Sequence, residues 1–173
     1  VAEKNGCISE ISRYLFNEVC RFISIENLSV YYIRACEITL PVIELMKYGI
    51  VDEIMNVVSE YGIDTGMIEF EITEDAVMTY QGQLKENMQR LREEGFRFVL
   101  DNYGNGYTNT EMIIEIPLSL VTLDRRLTQA AVSSKKADTL LRCTTEMIRR
   151  LNLKIKAERI ETQKQEEKAL ELG

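Results

Sequence analysis

Histidine is absent from this 173-residue chain, and so is tryptophan. Without imidazole there can be no Ser-His-Asp triad, Cys-His dyad, His-ligated zinc or His-ligated haem. Cysteine is scarce: Cys7, Cys20, Cys36 and Cys143 stand far apart with no CxxC pair. Neither a structural zinc nor a redox motif is expected from them; buried free thiols in a reducing cytoplasm are. Only two prolines occur, and no Pro/Ser-rich linker or low-complexity tract divides the chain. No apolar run reaches the ~20 residues that cross a bilayer. No signal peptide is visible, because the polar N-terminus begins without Met, which reads as a piece of a longer chain. Positive charge is in deficit, with 21 Lys and Arg against 28 Asp and Glu and a net charge of −7. That balance argues against a duplex nucleic-acid binder, which needs a basic face. What is present, 45% hydrophobic and 28% charged residues, fits one soluble globular domain with a real core. Its chemistry must come from carboxylates, amides, hydroxyls, lysine or a metal held by oxygen atoms.

Hydrophobic periodicity supplies the expected elements. Ile8, Ile11, Leu15, Val19 and Phe22 recur at helical spacing, so an amphipathic helix is expected over roughly 7–24. LSVYYIR (28–34) is short and rich in β-formers, a strand. Helical spacing returns through Ile50, Ile54, Val57 and Val58, with Gly62 as the stop. MIEFEIT (67–73) alternates and reads as a second strand. Leu84, Met88 and Leu91 define the next helix, ended by Gly95. FRFVLD (96–101) is a third strand. The Gly104-Asn105-Gly106 turn follows, then a short helix around 109–115 and Pro117. LSLVTLD (118–124) is a fourth strand. Leu140, Leu141, Met147, Ile148 and Leu151 mark another helix, and LKIKAER (153–159) a fifth strand. Thr162 and Gln165 form a capping box for a last helix.

Strands alternating with helices imply βα units and a parallel sheet, either open and doubly wound or closed as a (β/α)8 barrel. The acids help choose. Glu71, Asp101, Asp124 and Glu158 fall at or near the ends of successive strands, where carboxylates would converge on one mouth of a barrel. The plainer alternative is that such acids are solvated or cap the following helices. Other features read as structural. Gly104-Asn105-Gly106 follows a strand, but Asn109 breaks the GxGxxG pattern of a dinucleotide site, leaving a tight turn with positive φ. Arg125-Arg126 and Arg149-Arg150 read as solvated helix faces or phosphate contacts. Tyr31, Tyr32, Tyr103 and Tyr107 read as core or rim aromatics, the last two flanking the turn where a guanine could stack.

The motifs in order are EITE (71–74), LDNYGNGYTN (100–109), VTLDRR (121–126) and AERIET (157–162). With them the chain resembles the EAL-domain family of bacterial cyclic di-GMP phosphodiesterases. That family has EITE-like, DDFGTGYS-like, KIDR-like and AEGVET-like segments in this order and at similar spacing. The resemblance runs from Val1 to Gly173. It implies an α/β fold, a TIM-like (β/α) barrel of the EAL type, incomplete here with about five strands represented. It makes 1–173 a single EAL-like domain, with the Glu-Ala-Leu strand expected before Val1 and the closing strands after Gly173. The family's mouth holds divalent cations, Mg2+ or Mn2+, which activate a water that opens cyclic di-GMP to the linear dinucleotide. Hard cations take oxygen ligands, so the lack of histidine is no obstacle.

Position by position, the resemblance makes Glu71 and Asp101 metal ligands. It makes Asp124 the aspartate of the KIDR-like segment and Glu158 the glutamate near the metals, both with catalytic roles. Glu74 matches the glutamate that steadies the loop after the DDFG-like turn and links catalysis to dimer contacts, so a homodimer through the loop near the 101–109 turn is implied. Glu161 matches the second glutamate of the AEGVET-like segment. The departures are as informative. Asn102 stands where the family has a second aspartate, and Thr122 where it has a lysine that orients the water. Arg34, at the end of the YYIR strand, stands for an asparagine ligand, and Arg159 for the glycine of AEGVET. A guanidinium beside carboxylates forms charge-assisted hydrogen bonds and repels a divalent ion. The expectation is therefore a catalytically degenerate, cytoplasmic EAL-like domain of cyclic di-GMP signalling, acting as a regulatory, nucleotide-binding or protein-interaction module. Its partner is cyclic di-GMP, and Mg2+ or Mn2+ is needed only by an active form. The alternatives are an active Mg2+/Mn2+-dependent phosphodiesterase, a structural partner domain that binds no ligand, and a barrel enzyme on an unrelated substrate.

Overall fold

Helices and strands alternate along the chain in a computed structural model that describes residues 8–73, 81–104 and 110–172. The strands are β1 (Cys36–Thr39), β2 (Ile68–Thr73), β3 (Arg97–Tyr103), β4 (Leu118–Leu123) and β5 (Lys154–Ala157), and they follow chain order across one sheet. The longer helices are α1 (Ile8–Ile25), α3 (Ile50–Tyr61), α4 (Gly82–Glu93), α6 (Arg125–Ser133), α7 (Lys135–Arg150) and α8 (Gln163–Glu171). Two short helices, α2 (Val42–Leu45) and α5 (Thr110–Glu115), complete the described set. The chain divides into two compact units, one of residues 1–72 and 79–98, the other of 73–78 and 99–173.

In the first unit, α1 turns Ser12, Phe16, Cys20 and Ile23 inward at helical spacing. Cys20 is fully buried, and burial pushes its thiol up to about 12, which removes it as a nucleophile. The expectation of buried thiols holds for Cys20 alone among the described cysteines; Cys36 is half-buried and Cys143 exposed. Strand β2 alternates strictly: Ile68, Phe70 and Ile72 are buried, while Glu69 and Glu71 point to the other face. The ring of Phe70 lies 5.9 Å from Phe16, 5.1 Å from Phe96 and 5.9 Å from Phe98, an aromatic core with tilted and offset geometry. Asn87 of α4 is buried and donates to the carbonyls of Leu45 at 2.7 Å and Lys47 at 2.9 Å. These bonds tie α4 to the end of α2, where two carbonyls would otherwise lack partners. Gly95 ends α4 at φ +99, and a Cβ there would meet Thr65 Oγ1 at 2.6 Å, so glycine is required on both counts.

In the second unit, β4 and β5 run parallel, with Thr122 beside Lys156 and Leu123 beside Ala157. Helices α6, α7 and α8 cover this pair, burying Ala131, Leu141 and Ile148. Four charges clasp α7 to α8: Arg142 reaches Asp138 at 3.2 Å and Glu171 at 2.7 Å, and Lys168 reaches Asp138 at 3.1 Å and Glu171 at 2.9 Å. The expected capping box of α8 is present, with Thr162 accepting from the Gln165 backbone and Gln165 accepting from that of Thr162.

The sequence expectation for 28–34 needs correction. Leu28–Tyr31 is a 3-10 turn closed by Tyr32 at φ 57, and the first strand comes later, at Cys36–Thr39. The β-forming side chains misled: only Leu28 of that turn is buried, while Tyr31 and Tyr32 lie exposed rather than in a core. Arg34 consequently precedes β1 on an exposed stretch and does not end a strand. Helices α2 and α6 also went unread in the sequence.

Candidate functional site

Parallel pairing places the ends of neighbouring strands side by side, and the expected acids lie there. In the first unit, Thr39 closes β1 in register with Glu71 of β2. The Thr39 hydroxyl donates to the Glu71 carboxylate at 2.6 Å. Thr39 is the residue at the end of the first strand that the sequence reading missed; its only signal is the brief alternation Cys-Glu-Ile-Thr.

In the second unit, the carboxyl ends of β3, β4 and β5 surround a cavity of about 100 Å³ lined by Asn102, Leu123, Asp124, Arg125, Glu158 and Arg159. The backbone N–H of Asp124 donates to the carbonyl of Tyr103 at 2.9 Å, which fixes the end of β4 against that of β3. Asp124 is nearly buried and N-caps α6, accepting from the Arg126 backbone at 2.7 Å and from Arg126 Nε at 3.0 Å. Burial pushes its carboxyl up, but the Arg126 hydrogen bonds more than offset this and hold it below the usual carboxylate range. The stabilisation it brings is present above that range and is lost as pH falls through the lowered value.

Glu158 follows β5 and pairs with Lys156 Nζ at 2.9 Å. Asp101 accepts from the backbone of Asn102 at 2.7 Å and from its side-chain amide. Thr122 of β4, two residues before Asp124, is buried, and its hydroxyl finds no hydrogen-bond partner among the described residues. Lys156 stands directly beside it on β5. The structure therefore brings Asn102, Asp124, Glu158 and Arg159 to one cavity, with Asp101 bonded to Asn102 at its edge. Glu161 is exposed, and its backbone joins the α8 cap. Glu74, Tyr107 and the rest of the 105–109 turn lie outside the described residues.

Two residues of this second-unit site depart from ordinary backbone geometry. Asn102 has φ 56 and Arg159 φ 54. Asparagine tolerates the left-handed region; arginine does so at a cost of roughly 1–2 kcal/mol. Glycine accepts it freely, less its greater freedom when unfolded. Arg159→Gly is thus expected to raise unfolding free energy by about 0.5–1 kcal/mol, read as a higher thermal midpoint; a lower midpoint would contradict the assignment of strain.

A family model, the EAL domain, matches residues 1–173. The chain belongs to the EAL-domain family. It is 25% identical over 165 residues to the oxygen sensor protein DosP of Escherichia coli and 27% identical over 165 residues to the cyclic di-GMP phosphodiesterase NbdA of Pseudomonas aeruginosa, covering 95% of this chain each time. The chain spans 21% of the length of each of these relatives. The structure of PaMucR phosphodiesterase in complex with c-di-GMP superposes with a TM-score of 0.88 at 24% identity, over 99% of this chain and 70% of that one. The fold is that of EAL domains, a TIM-like barrel, of which the unclosed five-stranded parallel sheet forms part.

Such a family implies a divalent cation, and among the described residues the second-unit donors, already engaged by protein cations, do not fit one. Magnesium takes six oxygens in near-octahedral array, several of them water, and is held by one or two free carboxylates; calcium takes six to eight oxygens. Among the described residues no three His, Cys, Asp or Glu side chains gather closely enough to hold a metal. Around the second-unit cavity, Arg126 pairs with Asp124 and Lys156 with Glu158. Arg125 and Arg159 add two further positive groups to its lining. The two carboxylates of the lining, Asp124 and Glu158, thus share the cavity with Arg125 and Arg159, and each also pairs with a further cation, a balance that disfavours an added double positive charge.

Proposed function

We propose that this EAL domain serves cyclic di-GMP signalling as a regulatory module that binds the dinucleotide and does not hydrolyse it. The observation that carries the reading is the pairing of Asp124 and Glu158 with the chain's own Arg126 and Lys156. A carboxylate engaged by a protein cation is a poor ligand for a metal and a poor base for water. Neutral Asn102 and Thr122 stand at two further positions where the family resemblance calls for charged groups. Binding is a separate matter. Arg125 and Arg159 line the cavity, and a guanidinium pairs with a phosphodiester through charge-assisted, forked hydrogen bonds. Relatives include a c-di-GMP phosphodiesterase and an EAL structure in complex with c-di-GMP, which makes this ligand the one to test.

The test is incubation of the full-length protein with labelled cyclic di-GMP and Mg2+ or Mn2+, followed by separation of bound, free and linear nucleotide. Retained but uncleaved cyclic dinucleotide is expected. Steady accumulation of the linear product would overturn the reading in favour of an active phosphodiesterase. Absence of any retained nucleotide would overturn the binding half and leave a structural partner domain.

A further inference from the structure

We propose that Arg126 and Lys156 are built-in counter-ions which keep divalent cations out of the second unit's carboxylate cluster. This deepens the reading above and rests on it for the identity of the site. Carboxylates brought to one strand-end cavity repel one another unless something neutralises them, and a low-dielectric site strengthens that repulsion. A metal ion is one solution; side-chain cations are another.

The geometry points to the second. Asp124 is nearly buried, and a buried carboxylate needs several hydrogen bonds to remain ionised. It receives two from Arg126, one from the backbone and one from Nε at 3.0 Å. The backbone bond is an ordinary helix cap. The Nε bond is additional and is specific to an arginine at the second position of α6. Lys156 reaches the cluster differently. Strand pairing places it in register with Thr122, a small buried residue, and its ammonium meets Glu158 at 2.9 Å. Helix α6 and strand β5 thus contribute a cation to Asp124 and to Glu158 respectively, and both carboxylates line the same cavity.

The consequence is separable from catalysis. Removing the two cations while keeping every carboxylate would leave negative charges crowded around Arg125 and Arg159, and the cluster would gain affinity for a hard cation. In Arg126→Gln the backbone N–H still caps α6 through Asp124, so the helix start is retained. Lys156→Gln keeps a long side chain on a half-buried strand position. The experiment titrates Mn2+ into the full chain and into the double variant, and follows the free-ion signal by electron paramagnetic resonance. Circular dichroism reports folding of each protein. The natural chain is expected to leave the Mn2+ signal unchanged, and its thermal midpoint should not differ between Mn2+ and EDTA. The double variant should bind Mn2+ about tenfold more tightly or better.

Mn2+ binding by the natural chain would overturn the proposal. So would a folded double variant that binds no better, since the cations would then not be what excludes the ion. If the double variant fails to fold, Lys156→Gln alone is titrated, and a gain is again required. These outcomes are distinct from failure of the proposed function. A chain that ignores Mn2+ and retains no cyclic di-GMP would refute the binding half of that function and leave the counter-ion assignment standing.

Discussion

Phe70→Ala should lower unfolding free energy by about 3–5 kcal/mol, the range for a fully buried phenylalanine removed from a packed core. Phe70 is 0% exposed. Its ring is shared by three others, from α1 (Phe16), from the turn after α4 (Phe96) and from β3 (Phe98). Truncation would remove the one side chain common to all three contacts, and three rings held by separate elements cannot collapse together into the gap. The lost aromatic geometry adds a further contribution of about 0.5–1.5 kcal/mol per pair beyond area alone, part of which lies within that range. Urea unfolding of the natural and variant chains measures the difference. A loss below about 1 kcal/mol would show that the first unit does not depend on this core.

Asn87→Leu is expected to cost about 2–5 kcal/mol, although leucine is the more hydrophobic residue and a better helix former. The Asn87 amide donates to the carbonyls of Leu45 and Lys47 and accepts from Gln83 Nε2 at 3.0 Å. Leucine can replace none of these bonds, so the two carbonyls are left without their donor at about 1–3 kcal/mol each. Gln83→Ala is the contrasting variant, because it removes a donor that is half-buried and leaves both carbonyls satisfied; about 1 kcal/mol or less is expected. The comparison is read in the same urea experiment. Equal effects of the two substitutions would contradict the role given to the carbonyls.

Much of the fold can be read directly from the chain because its elements are punctuated. Gly62 and Gly95 end helices at φ +63 and +99, and Thr162 opens α8 with its capping box. Strict alternation in 67–73 marked β2 and placed Glu71 opposite the buried face. Failures came where local chemistry and packing diverge. Val30, Tyr31, Tyr32 and Ile33 have the side chains of a strand but lie exposed in and just after a 3-10 turn. The true strand, Cys36–Thr39, is only four residues long with one buried residue, Ile38, too brief for a period of two to show. Helix α6 buries only Thr128 and Ala131, so it carries no large apolar stripe to read.

The site divides in the same way. Asp124 and Glu158 could be placed because each follows a recognisable apolar run, and the plainer reading of strand-end acids as helix caps also proved right for Asp124. Arg34 was misplaced with its strand. Lys156 was invisible, since its meaning depends on standing beside Thr122, and the register of β4 against β5 is a three-dimensional fact. Arg126 likewise read as a solvated charge until the start of α6 fixed it over Asp124.

The most direct measurement is anomalous diffraction from crystals of the full protein grown in millimolar Mn2+. Arg126 and Lys156 are expected within hydrogen-bond reach of Asp124 and Glu158, with no anomalous peak at the ends of β3, β4 and β5. A manganese ion coordinated by Asp101, Asp124 or Glu158, with either cation turned away, would contradict this.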